Sequence, residues 1–290
     1  MSTDQKNSHI ATETLAVGEA HIPRLGFGTY GMSGSFLQKI LVSALQSGFR
    51  HIDTAQMYQN EADVGAAIRK GGVTRNDIFV TTKVWVANYP RSRFMGSVDE
   101  SLRNLQSDYI DLLLVHWPRG GVGIDEQIEG LNKAVDAGKV RHIGVSNFNA
   151  EMLRTAINFS KHPIVTNQVE YHPFLDQNVL VREVNAHNTS LMAYCGMAVG
   201  RVFSDPVLKE IAQRNSRTIA QIVLRWLIQQ PNVVALSRTE KAERISENTR
   251  IFDFELSSAD MEAIGKLQRP HIQRPHSRIV NPPHLAPEWD

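Results

Sequence analysis

Short apolar runs recur along the chain and alternate with longer stretches in which apolar residues repeat every three or four positions. Runs that are apolar throughout are typical of strands buried on both faces, and the longer period is typical of amphipathic helices that cover such strands. The strands are predicted at 25–28, 50–54, 78–83, 110–115, 142–146, 165–169, 190–194 and 233–236. The helices are predicted at 36–47, 60–70, 92–106, 125–137, 149–158, 177–187 and 206–230, the last of these split in two near Asn215–Thr218.

This alternation predicts an α/β protein with a parallel sheet covered by helices, and eight such units predict a closed (β/α)8 TIM barrel. A doubly wound open sheet is the competing architecture. Its usual signature is a GxGxxG turn directly after the first strand. The glycines of GFGTYGMSG do not have that spacing, so we predict the barrel.

Both ends of the pattern add elements to the barrel. The segment ETLAVGEAHIPRLGF predicts an N-terminal β-hairpin around Gly18 and Glu19 that plugs the bottom of the barrel. Residues 240–248 predict an extra C-terminal helix, in a position where barrels often bind phosphate. The length suits one barrel domain over 1–290, since such barrels need about 250 residues. We expect residues 1–12 to be disordered and 268–290 to form a C-terminal tail.

Composition narrows the possible partners. The formal net charge is +1, which indicates neither a nucleic-acid partner nor an anionic membrane surface. Cys195 is the single cysteine, so no internal disulfide can form, and this fits a reducing compartment. The first residues lack the apolar core of a signal peptide, and no run approaches the ~18 apolar residues of a membrane span. We expect a cytoplasmic, monomeric protein without a metal ion.

Four polar residues lie at or just after the carboxyl ends of predicted strands, and we call them the polar quartet. They are Asp53 and Tyr58 in FRHIDTAQMYQNE, Lys83 in IFVTTKVW and His116 in IDLLLVHW. Burying such groups is costly unless they pair or take part in chemistry. Barrel active sites lie at the carboxyl ends of the strands. The quartet is therefore predicted to meet at one rim.

The quartet suits the reduction of a carbonyl group. Hydride addition to C=O develops negative charge on oxygen, which must be protonated or stabilised. A phenol with a pKa of about 10 is a poor acid at neutral pH, so Lys83 is expected to lower the pKa of Tyr58. Asp53 would keep Lys83 charged and oriented, and His116 would donate a hydrogen bond to the substrate oxygen.

The quartet resembles the Asp-Tyr-Lys-His set of the aldo-keto reductases, and the resemblance runs almost from end to end of the chain. It implies an NADPH-dependent reductase that converts small aldehydes, dicarbonyls or keto acids and esters to alcohols by hydride transfer, with Tyr58 as general acid. It also implies that Trp85 and Trp117 wall the substrate pocket. Tyr30 would lie near the nicotinamide ribose.

Three further segments resemble nicotinamide-binding elements of the family. GKVRHIGVSNF resembles the GVSNF element, which implies that Ser146 and Asn147 hold the nicotinamide carboxamide. NQVEYHP resembles the NQxxxHP element, which adds Gln168 to that set. LMAYCG places Tyr194 where the family stacks an aromatic ring on the nicotinamide. Stacking on one face leaves the other face open to the substrate.

The segment LSRTEKAERISEN resembles the family's adenosine-phosphate element. The resemblance implies that Arg238, Thr239 and Arg244 bind the 2′-phosphate of NADP. It implies that Glu247 and Asn248 hold the adenine. Arginine is suited to planar recognition of phosphate.

Two departures from the family pattern concern the cofactor. The family usually has Lys-Ser where this chain has Arg238 and Thr239, and an acid, Glu240, follows. That acid would weaken 2′-phosphate binding and allow some use of NADH. The family's YSPL is YCGM here, so no contacts are inferred for residues 195–197.

Within the family, IDTAQMYQNEADVG, YCGMAVGRVFSD and LAPEWD resemble the bacterial 2,5-diketo-D-gluconate reductase B type. That type reduces small dicarbonyls and aldehydes, including methylglyoxal, and some keto esters. The short segment PRGGVGIDEQ after the fourth strand fits an open pocket.

Two other functions use the same residues. A metal-dependent hydrolase would employ His51, Asp53 and His116, but strands six to eight offer no further ligands, and His142 begins its strand at the wrong end. A cofactor-binding, non-catalytic aldo-keto reductase-like protein would sense redox state or act as a structural subunit. The complete polar quartet favours the enzyme over both.

Overall fold

A computed structural model describes residues 13–268 and 278–290. Residues 1–12, which we expect to be disordered, and residues 269–277 of the predicted C-terminal tail lie outside the described residues. Among the described residues, no helix is long and apolar enough to cross a membrane.

Eight parallel strands close into a barrel, which confirms the predicted (β/α)8 fold. The β-strands are β1 Thr14–Val17, β2 Ala20–Pro23, β3 Leu25–Gly28, β4 His51–Asp53, β5 Phe79–Val84, β6 Ile110–Val115, β7 Val140–Ser146, β8 Ile164–Glu170, β9 Ser190–Tyr194 and β10 Val233–Ser237. The barrel runs from β3 to β10 in chain order, and β10 closes it by pairing with β3. The register between β7 and β8 shifts once between Ile143 and Val145.

The first two strands form the predicted antiparallel hairpin, with Gly18 and Glu19 at the turn. Gly18 has a φ of +58°, a conformation that glycine adopts without steric cost. Leu15 and Ile22 of the hairpin pack in one apolar cluster with Leu112 and Met192 of the barrel strands. The hairpin therefore fills the bottom of the barrel, as predicted.

Helices cover the outside of the barrel and bury their apolar faces in the main hydrophobic core. They are α1 Gly34–Gln46, α2 Glu61–Lys70, α3 Arg91–Leu105, α4 Ile124–Asp136, α5 Ala150–Phe159, α6 Asn178–Ala186, α7 Pro206–Arg214, α8 Ile219–Gln229, α9 Ala242–Thr249 and α10 Ser258–Gly265. The predicted break between α7 and α8 is confirmed. Thr218 begins α8 with a capping box, in which its side chain and that of Gln221 each accept a backbone N–H of the other. The predicted extra helix after the last strand is α9.

Strand register brings the carboxyl ends of β4, β5 and β6 together. Asp53 pairs with Thr81, and Lys83 pairs with Leu114, on adjacent strands. His116 follows directly after β6, and its backbone N–H donates to the carbonyl of Val84 at 3.2 Å. The end of each strand thus lies beside the next, and the side chains that follow share one rim.

Candidate active site

The polar quartet meets at the carboxyl rim, around the amine of Lys83. Lys83 Nζ donates to Asp53 Oδ1 at 2.7 Å and to the carbonyl of Thr54 at 2.9 Å. It also lies 3.4 Å from the hydroxyl of Tyr58. Tyr58 is the last residue of a short 3-10 helix, Gln56–Tyr58, which follows β4 and places the phenol beside Lys83. The amine therefore bridges the carboxylate and the phenol.

The Lys83–Asp53 ion pair is buried. Lys83 is fully buried and Asp53 is 3% exposed. The second carboxylate oxygen of Asp53 accepts a hydrogen bond from Gln168 Nε2 at 2.7 Å. Buried charges persist only when they are paired and hydrogen-bonded, and both oxygens of Asp53 are satisfied. Burial lowers the pKa of Lys83, and the neighbouring Asp53 opposes that change.

The phenol of Tyr58 differs from the expectation. Its pKa lies well above the ordinary value of tyrosine, first because of burial and then because of the negative charge of Asp53. Lys83 Nζ lies closer to Asp53, at 2.7 Å, than to the phenol oxygen of Tyr58, at 3.4 Å. The expectation that Lys83 lowers this pKa was therefore wrong for the protein without cofactor. Tyr58 is therefore a protonated phenol near pH 7, and its raised pKa makes it a weaker acid than a free phenol.

His116 completes the quartet beside the phenol ring. The two rings pack edge to face, with 5.8 Å between centroids. Burial and the charge of Lys83 hold the pKa of His116 well below its usual range, so the imidazole is neutral near pH 7. Its Nδ1 is buried without a hydrogen-bond partner within the described parts of the chain. Trp85 packs edge to face on His116 at 5.4 Å between centroids.

A cavity of about 850 Å³ opens above the quartet. It has the size and mixed polarity of a small-molecule site. The candidate residues on its wall are Tyr30, Asp53, Tyr58, His116, Trp117, Ser146, Asn147, Gln168, Tyr194, Arg238, Thr239, Arg244, Glu247 and Asn248. Lys83 and Trp85 are not on the wall: Lys83 is buried behind it, and Trp85 contacts His116.

The nicotinamide-binding candidates form one hydrogen-bonded group next to the quartet. Asn147 Oδ1 accepts from the hydroxyl of Tyr194 at 2.7 Å, and Asn147 Nδ2 donates to the carbonyl of His116 at 2.9 Å. Ser146 Oγ donates to the carbonyl of Gln168 at 2.8 Å. Asn147 has a φ of +63°, a strained conformation that asparagine tolerates better than most residues. The four residues therefore form the wall beside Asp53.

At the other end of the cavity, Arg238 is already engaged. Its Nε donates to the carbonyl of Tyr30 and its Nη2 to Glu240 Oε1, both at 2.6 Å. The ring of Tyr30 in turn packs edge to face on Tyr58, with 5.0 Å between centroids. By contrast, the guanidinium of Arg244 makes no hydrogen bond or ion pair within 13–268 and 278–290, and it is exposed. Arg244 is thus an available cation at this end.

The remaining adenosine candidates lie on and before α9. Thr239 Oγ1 accepts the backbone N–H of Lys241 at 3.2 Å. Glu247 Oε1 accepts from the hydroxyl of Thr218 at 2.7 Å. Asn248 Nδ2 donates to Ser237 Oγ at 2.9 Å, while its Oδ1 is buried and unpartnered in the described chain. That oxygen is an acceptor suited to an exocyclic amino group such as that of adenine.

Several apolar residues of the cavity wall were not predicted from the sequence. They are Met57, Val199, Phe203, Ile219 and Val280. Apolar residues on the rim of an open cavity do not repeat at the period of a helix or a strand, so the sequence does not mark them. Val199, for example, is 74% exposed. Cys195 also lines the cavity, and burial raises the pKa of its thiol to about 11, so it is not a thiolate near pH 7.

A closed parallel barrel with buried ionisable side chains at its carboxyl rim and a cavity above them has the usual arrangement of a barrel enzyme. The aldo/keto reductase family model matches residues 24–269, and the chain belongs to that family. The chain is therefore an oxidoreductase. The reaction of this class is carbonyl reduction with NADH or NADPH.

Individual relatives agree with this assignment. Methylglyoxal reductase DkgB of Yersinia pestis is 37% identical over 272 residues, which cover 93% of this chain and 99% of the relative. An aldo-keto reductase of Mycobacterium avium (strain 104) is 42% identical over 264 residues, which cover 90% and 92%. A crystal structure assigned provisionally as a 2,5-diketo-D-gluconic acid reductase B is 50% identical, with a TM-score of 0.93 and coverage of 98% and 99%. The resemblance predicted from the motifs is confirmed.

Proposed function

We propose that this protein is an NADPH-preferring reductase of small aldehydes, dicarbonyls and keto acids in which Tyr58 donates the proton. The observation that carries the proposal is the position of Lys83 Nζ, 2.7 Å from Asp53 Oδ1 and 3.4 Å from the hydroxyl of Tyr58. The phenol lies on the cavity wall, and the ion pair is adjacent to it. Tyr58 could thus donate a proton at the same point of the cavity wall where Lys83 stabilises the resulting negative charge.

The quartet divides the proton chemistry among its members. A bound reduced nicotinamide would supply a hydride to the carbonyl carbon. As charge develops on the carbonyl oxygen, Tyr58 would donate its proton to it. The positive charge of Lys83 would stabilise the phenolate that forms, and Asp53 would keep Lys83 charged and oriented. Because burial and Asp53 raise the pKa of Tyr58, its proton would move only as negative charge develops on the substrate oxygen.

The neutral imidazole of His116 has a separate role in this proposal. A neutral imidazole retains one N–H that can donate a hydrogen bond to the carbonyl oxygen and orient it toward Tyr58. Trp117 lines the cavity beside it, and Trp85 holds the histidine ring from outside the cavity wall. In this account, Trp85 contributes to the substrate pocket by positioning His116.

The residues around the cavity fit a nicotinamide dinucleotide. Ser146, Asn147 and Gln168 would hold the carboxamide, and Tyr194 would stack on the ring. At the far end, the unpartnered Oδ1 of Asn248 is available to the adenine amino group. Arg244, which has no partner among the described residues, is available to a 2′-phosphate.

The names of the relatives suggest the substrate class, which we propose to be small dicarbonyls such as methylglyoxal or a 2,5-diketo acid. Steady-state oxidation of NADPH and of NADH with each substrate, together with identification of the alcohol product, tests this function. Carbonyl-dependent oxidation that is faster with NADPH supports it. Binding of NADPH without oxidation by any carbonyl would favour the non-catalytic alternative.

We also propose that the protein is a monomer located in the cytoplasm.

Replacing Arg244 with alanine is expected to weaken NADPH binding while leaving NADH binding nearly unchanged. The reason is that Arg244 is the available guanidinium at the proposed phosphate end, and a charge-assisted hydrogen bond contributes about 1.5–3 kcal/mol. Dissociation constants measured by quenching of tryptophan fluorescence check this. Equal losses for the two cofactors would remove the phosphate role of Arg244.

Replacing Glu240 with glutamine is expected to shift preference further toward NADPH. In the protein alone, Glu240 holds Arg238 at 2.6 Å and neutralises its charge. Without that carboxylate, Arg238 becomes available to a 2′-phosphate, and we expect a rise in the NADPH-to-NADH ratio of kcat/KM of about twofold to fivefold, in the range of an exposed ion pair. A fall in this ratio would contradict the assignment of Arg238.

A further inference from the structure

A buried carboxylate at the end of β8 binds the chain's last described segment. Glu170 is fully buried, and its two oxygens accept the backbone N–H groups of Ile279 at 2.7 Å and Val280 at 2.8 Å. Backbone amides paired with a buried carboxylate make strong, charge-assisted hydrogen bonds. We call residues 278–290 the C-terminal segment.

The third partner of Glu170 is a histidine whose tautomer is determined by its neighbours. His172 Nδ1 accepts the backbone N–H of Phe174 at 3.2 Å, so the proton lies on Nε2. Nε2 therefore donates to Glu170 Oε1 at 3.0 Å. The carboxylate is thus satisfied by three donors. Two of these donors belong to the C-terminal segment, so the segment completes the burial of this charge.

The far end of the C-terminal segment is attached to the start of α5. Asn149 Nδ2 donates to the carbonyl of Glu288 at 2.7 Å, and the side chain of Asp290 accepts the backbone N–H of Ala150 at 2.9 Å. A carboxylate at a helix N-terminus is favoured by the helix dipole. Within the segment, the guanidinium of Arg278 lies 3.5 Å from the ring centroid of Trp289 and joins its two ends.

Both attachment points adjoin the proposed nicotinamide site. Glu170 lies two residues after Gln168, and Asn149 lies two residues after Asn147. Between these points, Val280 is the part of the segment that lines the cavity. The hydrogen bond that holds the amide of Val280 therefore also holds its side chain at the cavity wall.

We propose that Glu170 is a positioning residue that fixes the C-terminal segment as a wall of the substrate cavity, and that Val280 thereby limits the size of the carbonyl substrate. This inference rests on the proposed reductase function for its kinetic consequence. Its structural part, the attachment of the segment by Glu170, is independent of that function. The substrates it favours are short-chain dicarbonyls and aldehydes over bulky aromatic aldehydes.

The structural part is tested by amide hydrogen exchange, followed by NMR, in the full chain. Glu170→Gln replaces one acceptor oxygen with an NH2 group that faces a backbone donor. We expect exchange at Ile279 and Val280 to become at least about tenfold faster, since a hydrogen bond to a charged group contributes enough free energy for that factor. Glu129→Gln, the same chemical change in a surface ion pair on α4, should leave both amides unaffected. Unchanged exchange in Glu170→Gln would overturn the proposal.

The kinetic part compares methylglyoxal with a bulky aromatic aldehyde. Val280→Ala should raise the kcat/KM ratio of the bulky over the small substrate by at least about tenfold, because it removes both methyl groups of the side chain from the apolar wall. Glu170→Gln should shift this ratio in the same direction, through KM more than kcat, with NADPH affinity kept. A fall in kcat and NADPH affinity at an unchanged ratio would indicate a general structural role and overturn the proposal.

The proposal remains testable if Glu170→Gln does not fold. In that case, unprotected amides at Ile279 and Val280 in the wild type would contradict the attachment. Val280→Ala would still test the size limit. If the wild type reduces no carbonyl, the proposed function fails, while protected amides that are lost in Glu170→Gln would still establish the attachment.

Discussion

Replacing Tyr58 with phenylalanine should lower kcat by about 10²–10⁴-fold, the range for removal of a general acid. The change deletes one hydroxyl and keeps the ring, so the packing of Tyr58 against Tyr30 and His116 is retained. Steady-state reduction of methylglyoxal gives kcat, and fluorescence quenching gives the NADPH dissociation constant. We expect the latter to change little.

Replacing Tyr30 with phenylalanine is the matched control, because it removes a hydroxyl from the neighbouring ring on the same cavity wall. This variant should retain most of the wild-type kcat. Turnover close to wild type in Tyr58→Phe would refute the proton-donor role, and an equal loss in both variants would point to packing as the cause.

Replacing Lys83 with methionine should lower the free energy of unfolding by about 3–5 kcal/mol and abolish most of the turnover. Methionine fills similar volume but leaves the carboxylate of Asp53 buried without its cation, and only Gln168 remains as a side-chain partner. Urea denaturation followed by tryptophan fluorescence measures the stability.

The double variant Lys83→Met with Asp53→Asn separates the two effects. It removes the unpaired charge, so stability should recover in part while turnover stays low. If the single and double variants are equally unstable, the loss would come from the shape of the lysine side chain and the ion-pair argument would be wrong.

The eight strands and the quartet were predictable because each depends on local signals. Largely apolar runs such as the one over β6 form buried parallel strands, and polar residues such as His116 at their ends have few structural reasons to be there. Chain order in a barrel then brings strand ends together without further information. The hairpin and the break before Thr218 were likewise marked by turn and capping residues.

The protonation state of Tyr58 could not be predicted in the same way. A sequence shows that a cation and an anion are present, but the outcome depends on distances and burial. The amine is closer to Asp53 than to the phenol, and the phenol is buried, so the pKa rises. The orientation of Trp85 toward His116 is a packing outcome of the same kind.

The attachment of the C-terminal segment was also beyond local sequence signals. Glu170 binds the backbone N–H groups of Ile279 and Val280, and backbone donors are identical at every non-proline residue. More than a hundred residues separate the partners along the chain, so no periodicity links them. Only the fold shows that the charged residue at the end of this buried strand has a partner.

A single turnover isolates the proton transfer that we assign to Tyr58. Enzyme carrying one equivalent of bound NADPH, with no free cofactor, is mixed with excess methylglyoxal, and the loss of nicotinamide absorbance is followed in the wild type and in Tyr58→Phe. The account predicts loss of one cofactor equivalent per chain in the wild type, with the alcohol formed, and a much slower loss in the variant. Equally fast oxidation in both proteins, or no oxidation in either despite bound NADPH, would contradict it.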